Sequence, residues 1–176
     1  MTDTTRPLPG QPAPDLSLDL IIRAEWMLSE QSPEAFTLIS FYRGLHCPIC
    51  KAHLTKLRGL YDDFLSKGVE VINVSMDGHE KATEAHEDWG LDPIPMGHSL
   101  TEAQARDWGL YLSEGRNDDE PALFSEPGLF LVRPDGTLYL AETASAPFVR
   151  PDLDLLLSKL DLIREKDYPP RGTRQG

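Results

Sequence analysis

The chain has few cysteines, few basic residues and no long apolar run. Its 176 residues include two cysteines, too few for the disulfide framework of a small secreted protein. Its 17 lysines and arginines stand against 29 aspartates and glutamates, which gives a net charge of −12 and argues against nucleic acid or an anionic membrane surface as a partner. No apolar run approaches the ~18 residues of a membrane span, so membrane insertion is not expected.

The chain has the composition of an ordinary globular protein, 40% hydrophobic and 26% charged. The segment 1–7 lacks the apolar core of a signal peptide, and we expect a cytoplasmic protein. The length suits one domain, which we place at residues 1–168, followed by a flexible tail at residues 169–176. Within that domain, the Pro- and Gly-rich residues 1–15 predict an extended arm along the domain edge.

The two cysteines form a Cys-x-x-Cys pair, Cys47 and Cys50, where a strand is followed by a helix. Residues 36–42 are a short apolar run with little alternation, which is typical of a strand covered on both faces. Pro48 suits the first helical position, because its missing N–H would be unpaired there in any case. Apolar residues at helical spacing predict that the helix continues to about Lys67.

A cysteine at the start of a helix is suited to thiol chemistry. Free N–H groups and the positive end of the helix dipole stabilise an anion at Cys47. Such settings lower a cysteine pKa from about 8.5 to roughly 3.5–7.5, and the thiolate is the reactive form. Cys50 follows one turn later, within reach of a disulfide after a small adjustment. The sequence therefore indicates Cys47 as nucleophile and Cys50 as the residue that closes the disulfide.

Further predicted elements surround this junction. A strand–helix–strand order of this length favours a parallel pair with a right-handed crossover. The remaining predictions are a hairpin at 16–22 and 25–28, a helical turn at 32–34, a strand at 69–75, a helix from a capping box of Asp77 and Glu80 to Trp89, a strand at 94–97, a helix from a capping box at Thr101 to Trp108, a polar loop at 113–121, a hairpin of strands 128–133 and 137–141, and a helix at 151–166.

The run Phe-Tyr-Arg-Gly-x-x-Cys-Pro-x-Cys at 41–50 resembles the peroxiredoxin-like branch of the thioredoxin superfamily, the alkyl hydroperoxide reductase and thiol-specific antioxidant group. Further similar segments lie at 8–15, 74–77 and 127–136. The resemblance implies an α/β thioredoxin fold, with a central mixed β-sheet flanked by helices and an N-terminal extension. It also implies a thiol-dependent oxidoreductase with antioxidant activity, which reduces peroxides through the Cys-x-x-Cys pair.

The resemblance carries expectations about the site and its partners. Gly44, His46, Pro48 and Pro127 are the expected substrate-binding residues, and Pro127 is similar in position to the cis-proline of the superfamily. No organic cofactor or metal is expected. An external thiol such as thioredoxin or glutathione would reset the cysteines, and a homodimer is allowed.

The sequence departs from the usual family pattern close to the nucleophile. Typical peroxiredoxins have Thr or Ser three residues before the reactive cysteine and Pro seven before it, whereas this chain has Gly44 and Ser40. Their usual Arg ahead of the late strand is also missing near Pro127. Arg43 is therefore a candidate to stabilise the thiolate, unless it forms a surface salt bridge. The N–H groups of residues 45–47 and the Arg43 guanidinium are the expected replacements for the missing hydroxyl donor, in a peroxidase of modest strength.

Other functions remain open on the sequence. The same cysteines would serve a thioredoxin-type reductase of protein disulfides, or a redox-sensing domain without turnover. His46 either tunes the redox pair or is an exposed loop residue. A zinc site of Cys47, Cys50 and His53 is the weakest alternative, because a structural zinc ion needs four ligands and the chain has no second cysteine pair.

Overall fold

The computed structural model describes residues 6–174, so the first five residues of the expected arm and the last two of the expected tail lie outside the described residues. The strands are β1 Ser17–Leu20, β2 Glu25–Met27, β3 Phe36–Phe41, β4 Val69–Val74, β5 Met96–His98, β6 Leu112–Glu114, β7 Leu123–Ser125, β8 Gly128–Val132 and β9 Leu138–Thr143. The helices are α1 Pro48–Gly59, α2 Tyr61–Ser66, α3 His79–Asp88, α4 Glu102–Asp107 and α5 Leu153–Glu165.

Seven strands form one mixed sheet in the order β2-β1-β5-β4-β3-β8-β9. At its centre β3 pairs in parallel with β4 and antiparallel with β8, and β8 and β9 form the predicted hairpin. Two apolar clusters lie on opposite faces of this sheet. The predicted α/β architecture, with a central mixed sheet flanked by helices, is confirmed.

Strand β3 is buried along its whole length, because successive side chains enter different clusters. Phe36 and Leu38 belong to the cluster that contains the apolar face of α1, and Ile39 and Phe41 belong to the other. A strand packed on both faces has little freedom to shift its register. The segment that precedes the cysteines is therefore held rigidly.

The described part of the N-terminal arm runs along the β8–β9 hairpin, as predicted. The Gly10 N–H donates to the Leu138 carbonyl oxygen at 2.7 Å and the Ala13 N–H to the Gly136 carbonyl oxygen at 2.9 Å. The domain limits, 1–168 with a flexible tail at 169–176, stay predictions. Within residues 6–174, no helix combines the length and the apolar character needed to cross a membrane.

Several local predictions are wrong. The helix expected to continue to Lys67 is divided at Leu60, where the backbone turns to φ −100° and ψ 1° before α2 begins. Residues 32–34 form no helical turn, and a short 3-10 helix lies earlier, at Leu28–Glu30. The first two residues of the polar loop expected at 113–121 instead belong to β6, which pairs with β7. These elements are so short that pairing with distant residues, which local pattern does not reveal, decides them.

The two predicted capping boxes have different outcomes. Thr101 and Gln104 form the reciprocal hydrogen bonds of a capping box at the start of α4. Asp77 does not cap α3, whose N-cap is Gly78. The Asp77 carboxylate instead accepts a hydrogen bond from the Leu45 N–H at 2.8 Å. Asp77 binds this distant donor rather than α3, because a partly buried N–H without a partner costs more free energy than an uncapped helix end that water can reach.

The turn between β3 and α1 depends on Gly44. Its φ of +139° is a conformation that residues with a side chain rarely adopt, and a Cβ there would lie 2.8 Å from Asp77 Oδ2. The absence of a side chain therefore lets Asp77 approach the turn and hold Leu45. This contact fixes where α1 begins.

We predict that Gly44→Ala destabilises the protein by about 2 kcal/mol, because it adds both backbone strain and a clash with the Asp77 carboxylate. Gly59→Ala is the matched control, since Gly59 lies in α1 with open space around its Cβ position and alanine is favoured there by about 0.5–1 kcal/mol. The free energy of unfolding in urea gives both values. Equal stability of Gly44→Ala and the wild type would show that the turn tolerates a side chain.

Candidate active site

Cys47 is the N-cap residue of α1, as the sequence predicts. Its Sγ accepts a hydrogen bond from the Cys50 N–H at 3.2 Å, and Pro48 occupies the first helical position. Both cysteines are free thiols and are buried, with 1% of Cys47 and 0% of Cys50 exposed. The two sulfurs are therefore neighbours on one face of the helix start, shielded from bulk water.

The two sulfurs have opposite pKa shifts. The hydrogen bond from the Cys50 thiol lowers the pKa of Cys47 to about 6, with further contributions from the Cys50 N–H and the Arg43 guanidinium. Burial raises the pKa of Cys50, and the nearby Cys47 raises it further. At neutral pH Cys47 is therefore a thiolate, whereas Cys50 keeps its proton and donates it in a hydrogen bond.

Arg43 is held beside the cysteines by contacts with β7 and the residue after it. Its guanidinium lies over the Phe124 ring at 4.8 Å, and its Nε lies 3.1 Å from Glu126 Oε2, although the approach is not that of a hydrogen bond. The side chains of Arg43 and Glu126 are 15% and 5% exposed. Arg43 is thus a largely buried charge near Cys47 that also forms a salt bridge, but this salt bridge does not lie at the surface as the alternative expected.

Glu126 and Phe124 are site residues that the sequence prediction missed. Besides contacting Arg43, Glu126 accepts a hydrogen bond from the Ser113 hydroxyl at 2.8 Å. This ties the small β6–β7 sheet to the site. The only sequence signal was an acidic residue directly before Pro127, where the family usually has a positive charge nearby.

His46 is not an exposed loop residue. Its ring packs edge-on against Phe124, with centroids 4.7 Å apart, and both ring nitrogens are buried without a hydrogen-bond partner. Burial, with the Arg43 charge, lowers the pKa of His46. The imidazole is therefore neutral at physiological pH and adds no charge next to Cys47.

The backbone donors expected around Cys47 are mostly engaged elsewhere. The Leu45 N–H donates to Asp77, and the Cys47 N–H donates to the Gly44 carbonyl oxygen at 3.1 Å. Burial raises the pKa of Asp77, which the Leu45 N–H partly offsets. Of the three N–H groups expected to replace the missing hydroxyl, at most the one of His46 remains, so that expectation is corrected for residues 45 and 47.

Pro127 lies at the start of β8 and its preceding peptide bond is trans. Within residues 6–174 the one cis peptide bond is Asp92–Pro93, so Pro127 is similar to the superfamily's cis-proline in position but not in peptide geometry. The extended chain there is fixed by hydrogen bonds on both sides, from the Glu126 N–H to the Tyr111 carbonyl oxygen and from the Ala144 N–H to the Pro127 carbonyl oxygen.

A mainly apolar groove of about 860 Å³ lies between β9 and α5. Pro127 lines it together with His53 and Arg150. Arg150 belongs to the loop before α5, and its Nη2 lies 2.9 Å from Cys50 Sγ. The sequence prediction missed this residue, because it is 100 positions from Cys50 in a segment without local pattern. Arg150 therefore links the lining of the groove to Cys50, although neither cysteine lines the groove.

His53 has the character of a neutral, shielded side chain. Burial and the Arg150 charge lower its pKa to about 4. Among residues 6–174, no group of three or more His, Cys, Asp or Glu side chains is arranged to hold a metal ion. The weakest alternative, a zinc site at Cys47, Cys50 and His53, gains no support from this arrangement.

Comparison with known proteins gives one family and one fold. A model of the AhpC/TSA family matches residues 9–141, whereas curated protein sequences give no match. Among solved structures, the chain is similar to a reduced 2-Cys peroxiredoxin of Plasmodium vivax, with a TM-score of 0.74 and 17% identity over 91% of this chain and 83% of that one. It is similar to a peroxiredoxin-like protein of Aquifex aeolicus, with a TM-score of 0.73 and 16% identity over 90% and 89% of the two chains. It is also similar to the peroxidoxin BcpB of Mycobacterium tuberculosis, with a TM-score of 0.72 and 17% identity over 90% and 99%.

These similarities confirm the predicted thioredoxin fold. The family model covers most of the chain, including β3, the Cys-x-x-Cys turn, β8 and the first part of β9. The chain therefore belongs to the AhpC/TSA family and is a peroxiredoxin-like thiol oxidoreductase.

Proposed function

We propose that the protein reduces peroxides with Cys47 as the nucleophile and Cys50 as the resolving cysteine. The observation that carries this proposal is the position of Cys47 as the N-cap of α1, where its Sγ accepts a hydrogen bond from the Cys50 N–H at 3.2 Å, and the opposite pKa shifts of the two thiols agree with it. A pKa of about 6 makes Cys47 mostly thiolate at pH 7, and the neighbouring Cys50 still holds a proton. A nucleophile and its partner are thus already in different protonation states before substrate arrives.

The chemistry has two steps within the protein. The Cys47 thiolate attacks one peroxide oxygen, so that an S–O bond forms and the O–O bond breaks, and the other oxygen leaves as an alkoxide or hydroxide that takes a proton from the solvent to become an alcohol or water. Cys50 then attacks the Cys47 sulfenic acid, which forms the disulfide and releases water. An external dithiol or thiol, such as thioredoxin or glutathione, returns both cysteines to the reduced form.

The expected substrate-binding residues contribute to the region around Cys47 in different ways. Gly44 keeps the turn before Cys47 free of a side chain, and Pro48 leaves the first helical position without an N–H. His46 covers one side as a neutral ring against Phe124, and Pro127 lines the groove next to the pair. We propose that they bound a small, poorly hydrated space for the peroxide.

The engaged backbone donors support a peroxidase of modest rate. Loss of one preorganised donor to a leaving oxygen costs about 10²–10³ in rate in other enzymes. The Arg43 guanidinium is the main donor left beside Cys47. We further propose that the protein works in the cytoplasm, where reducing conditions keep such a pair available for cycling.

The second candidate function is reduction of protein disulfides. It is favoured by the same observation, because attack on a disulfide needs a thiolate and a resolving thiol but no donor for a leaving oxygen. A redox-sensing role would use the same first steps without a rapid return to the reduced state.

The ratio of two second-order rate constants separates these functions. We expect reduced wild-type protein to react with hydrogen peroxide faster than a small thiol of matched pKa does, and to react measurably with a model disulfide. Stopped-flow oxidation measures both. If peroxide oxidises Cys47 no faster than the matched thiol, the peroxidase proposal fails and the reductase takes its place.

The two cysteines should differ in what their replacement does. Cys47→Ser should abolish rapid alkylation at neutral pH together with turnover. Cys50→Ser should keep the first attack and accumulate a sulfenic acid on Cys47, which mass spectrometry with a sulfenic-acid trap detects. Cys50→Ala is the matched control for the hydrogen bond: it lacks the donor, so the pKa of Cys47 should rise more than in Cys50→Ser. Faster alkylation of Cys50 than of Cys47 in the wild type would reverse the roles.

Arg43→Met should raise the pKa of Cys47, because a nearby positive charge favours the thiolate. The rate of alkylation follows the thiolate fraction, so its midpoint should move upward from about 6 and the rate below pH 7 should fall. Lys56→Met serves as the control. This exposed lysine lies in the last turn of α1, away from the cysteines, and pairs with Asp154. An unchanged midpoint in Arg43→Met would leave Cys50 and the helix start as the groups that stabilise the thiolate.

A further inference from the structure

Arg150 touches the sulfur that the first chemical step does not use. Its Nη2 lies 2.9 Å from Cys50 Sγ, and its Nε donates to the Pro147 carbonyl oxygen, which anchors the side chain within its own loop. The residue is half-buried, so the positive charge is held in a partly desolvated position. Arg43, by contrast, acts on Cys47. Arg43 also carries a weaker electrostatic interaction with Cys50, but Arg150 is the arginine whose guanidinium contacts the Cys50 sulfur.

The resolving step gives this contact a purpose. Cys50 must lose its proton before it can attack Cys47, because the thiolate is the nucleophile. Burial disfavours the ionised form of Cys50, whereas the positive charge of Arg150 favours it. An ion pair is stronger where water is excluded, and Cys50 is wholly buried.

We propose that Arg150 is a catalytic residue of the resolving step, where it stabilises the Cys50 sulfur as a thiolate during attack on the oxidised Cys47. An electron pair of the Cys50 sulfur forms the S–S bond while the Cys47 S–O bond breaks. The hydroxide leaves with the Cys50 proton as water, so no other reactant is needed. When an external thiolate later attacks Cys47, Cys50 departs as the thiolate beside the same guanidinium. This inference rests on the proposed roles of Cys47 and Cys50.

Few groups around Cys50 could stabilise its thiolate in place of Arg150. Among the described residues, the groups that act on its charge are Cys47, the buried Tyr42 hydroxyl, Arg43 through both its backbone and its guanidinium, and Arg150. His53, one turn further along α1, stays neutral because burial and Arg150 lower its pKa to about 4. The groove beyond Arg150 carries further charged side chains, Glu142, Asp152, Lys159 and Arg171. Two positive side chains act on Cys50, the Arg43 guanidinium and the Arg150 guanidinium, and of these Arg150 is the one with a nitrogen 2.9 Å from its sulfur.

The test separates the two chemical steps in the full-length protein. Reduced protein receives one equivalent of hydrogen peroxide, and samples quenched with a sulfenic-acid trap are analysed for sulfenic acid and for the Cys47–Cys50 disulfide. Arg150→Met should slow disulfide formation at pH 7 about tenfold or more, because an opposite charge at this distance moves a pKa by about 1–3 units. The midpoint of its pH profile should move upward, and Arg150→Lys should recover much of the rate. Arg106→Met is the control, since Arg106 pairs with Glu102 on the exposed face of α4.

Two outcomes overturn the inference. One is disulfide formation in Arg150→Met with the wild-type rate and pH profile. The other is wild-type protein that never forms the Cys47–Cys50 disulfide. If Arg150→Met does not fold, Arg150→Gln, which keeps a hydrogen-bond donor without the charge, decides by the same criterion.

Failure of the peroxidase proposal is distinguishable from these outcomes. If peroxide leaves Cys47 unoxidised, a model disulfide replaces it as the oxidant, and release of its second thiol reports how fast Cys50 resolves the mixed disulfide. Arg150→Met should slow that release in the same way. A release rate equal to that of the wild type would overturn the role of Arg150 without reference to peroxide.

Discussion

The structure depends on keeping a negative sulfur in a place that water scarcely reaches. Cys47 is 1% exposed, and an isolated buried charge would be strongly unfavourable. The hydrogen bonds from the Cys50 thiol and N–H compensate, together with the Arg43 guanidinium. All of these require α1 to begin at residue 48, with the helix start aimed at the sulfur. The rigid β3 before it and the Gly44–Asp77 contact beside it serve that geometry.

Burial has different net effects on the pKa values of the two cysteines, and in the proposed reaction this difference sets which sulfur attacks first. Burial raises the pKa of Cys50 while the hydrogen bonds that Cys50 donates lower that of Cys47. A proton that stays on Cys50 thus helps to keep Cys47 ionised. Once Cys47 is oxidised its negative charge is gone, and one cause of the raised pKa of Cys50 disappears with it. In the proposed reaction, the pair therefore favours attack by Cys47 first and by Cys50 second.

Structural and catalytic demands compete for the same backbone donors. The Leu45 and Cys47 N–H groups hold the turn together through Asp77 and Gly44, which leaves less for a departing oxygen. A family pattern with a hydroxyl three residues before the nucleophile would supply a donor from a side chain. Here that position is Gly44, whose missing Cβ is what lets Asp77 approach. In the proposed peroxidase, the turn of this chain therefore fixes the helix start but offers no hydroxyl donor at position 44 to the leaving oxygen.

The sequence by itself determined the features whose causes are local. The apolar run of β3, Pro48 at the first helical position and the spacing of Cys47 and Cys50 predicted the thiol site, because neighbouring residues create it. Tertiary structure alone decided what surrounds that site. The partners Phe124, Glu126 and Arg150 lie more than 70 residues from the cysteines along the chain. Asp77, predicted to cap α3, instead accepts a hydrogen bond from the distant Leu45 N–H. A charge or a hydrogen bond acts through space, whereas sequence pattern records only neighbours along the chain.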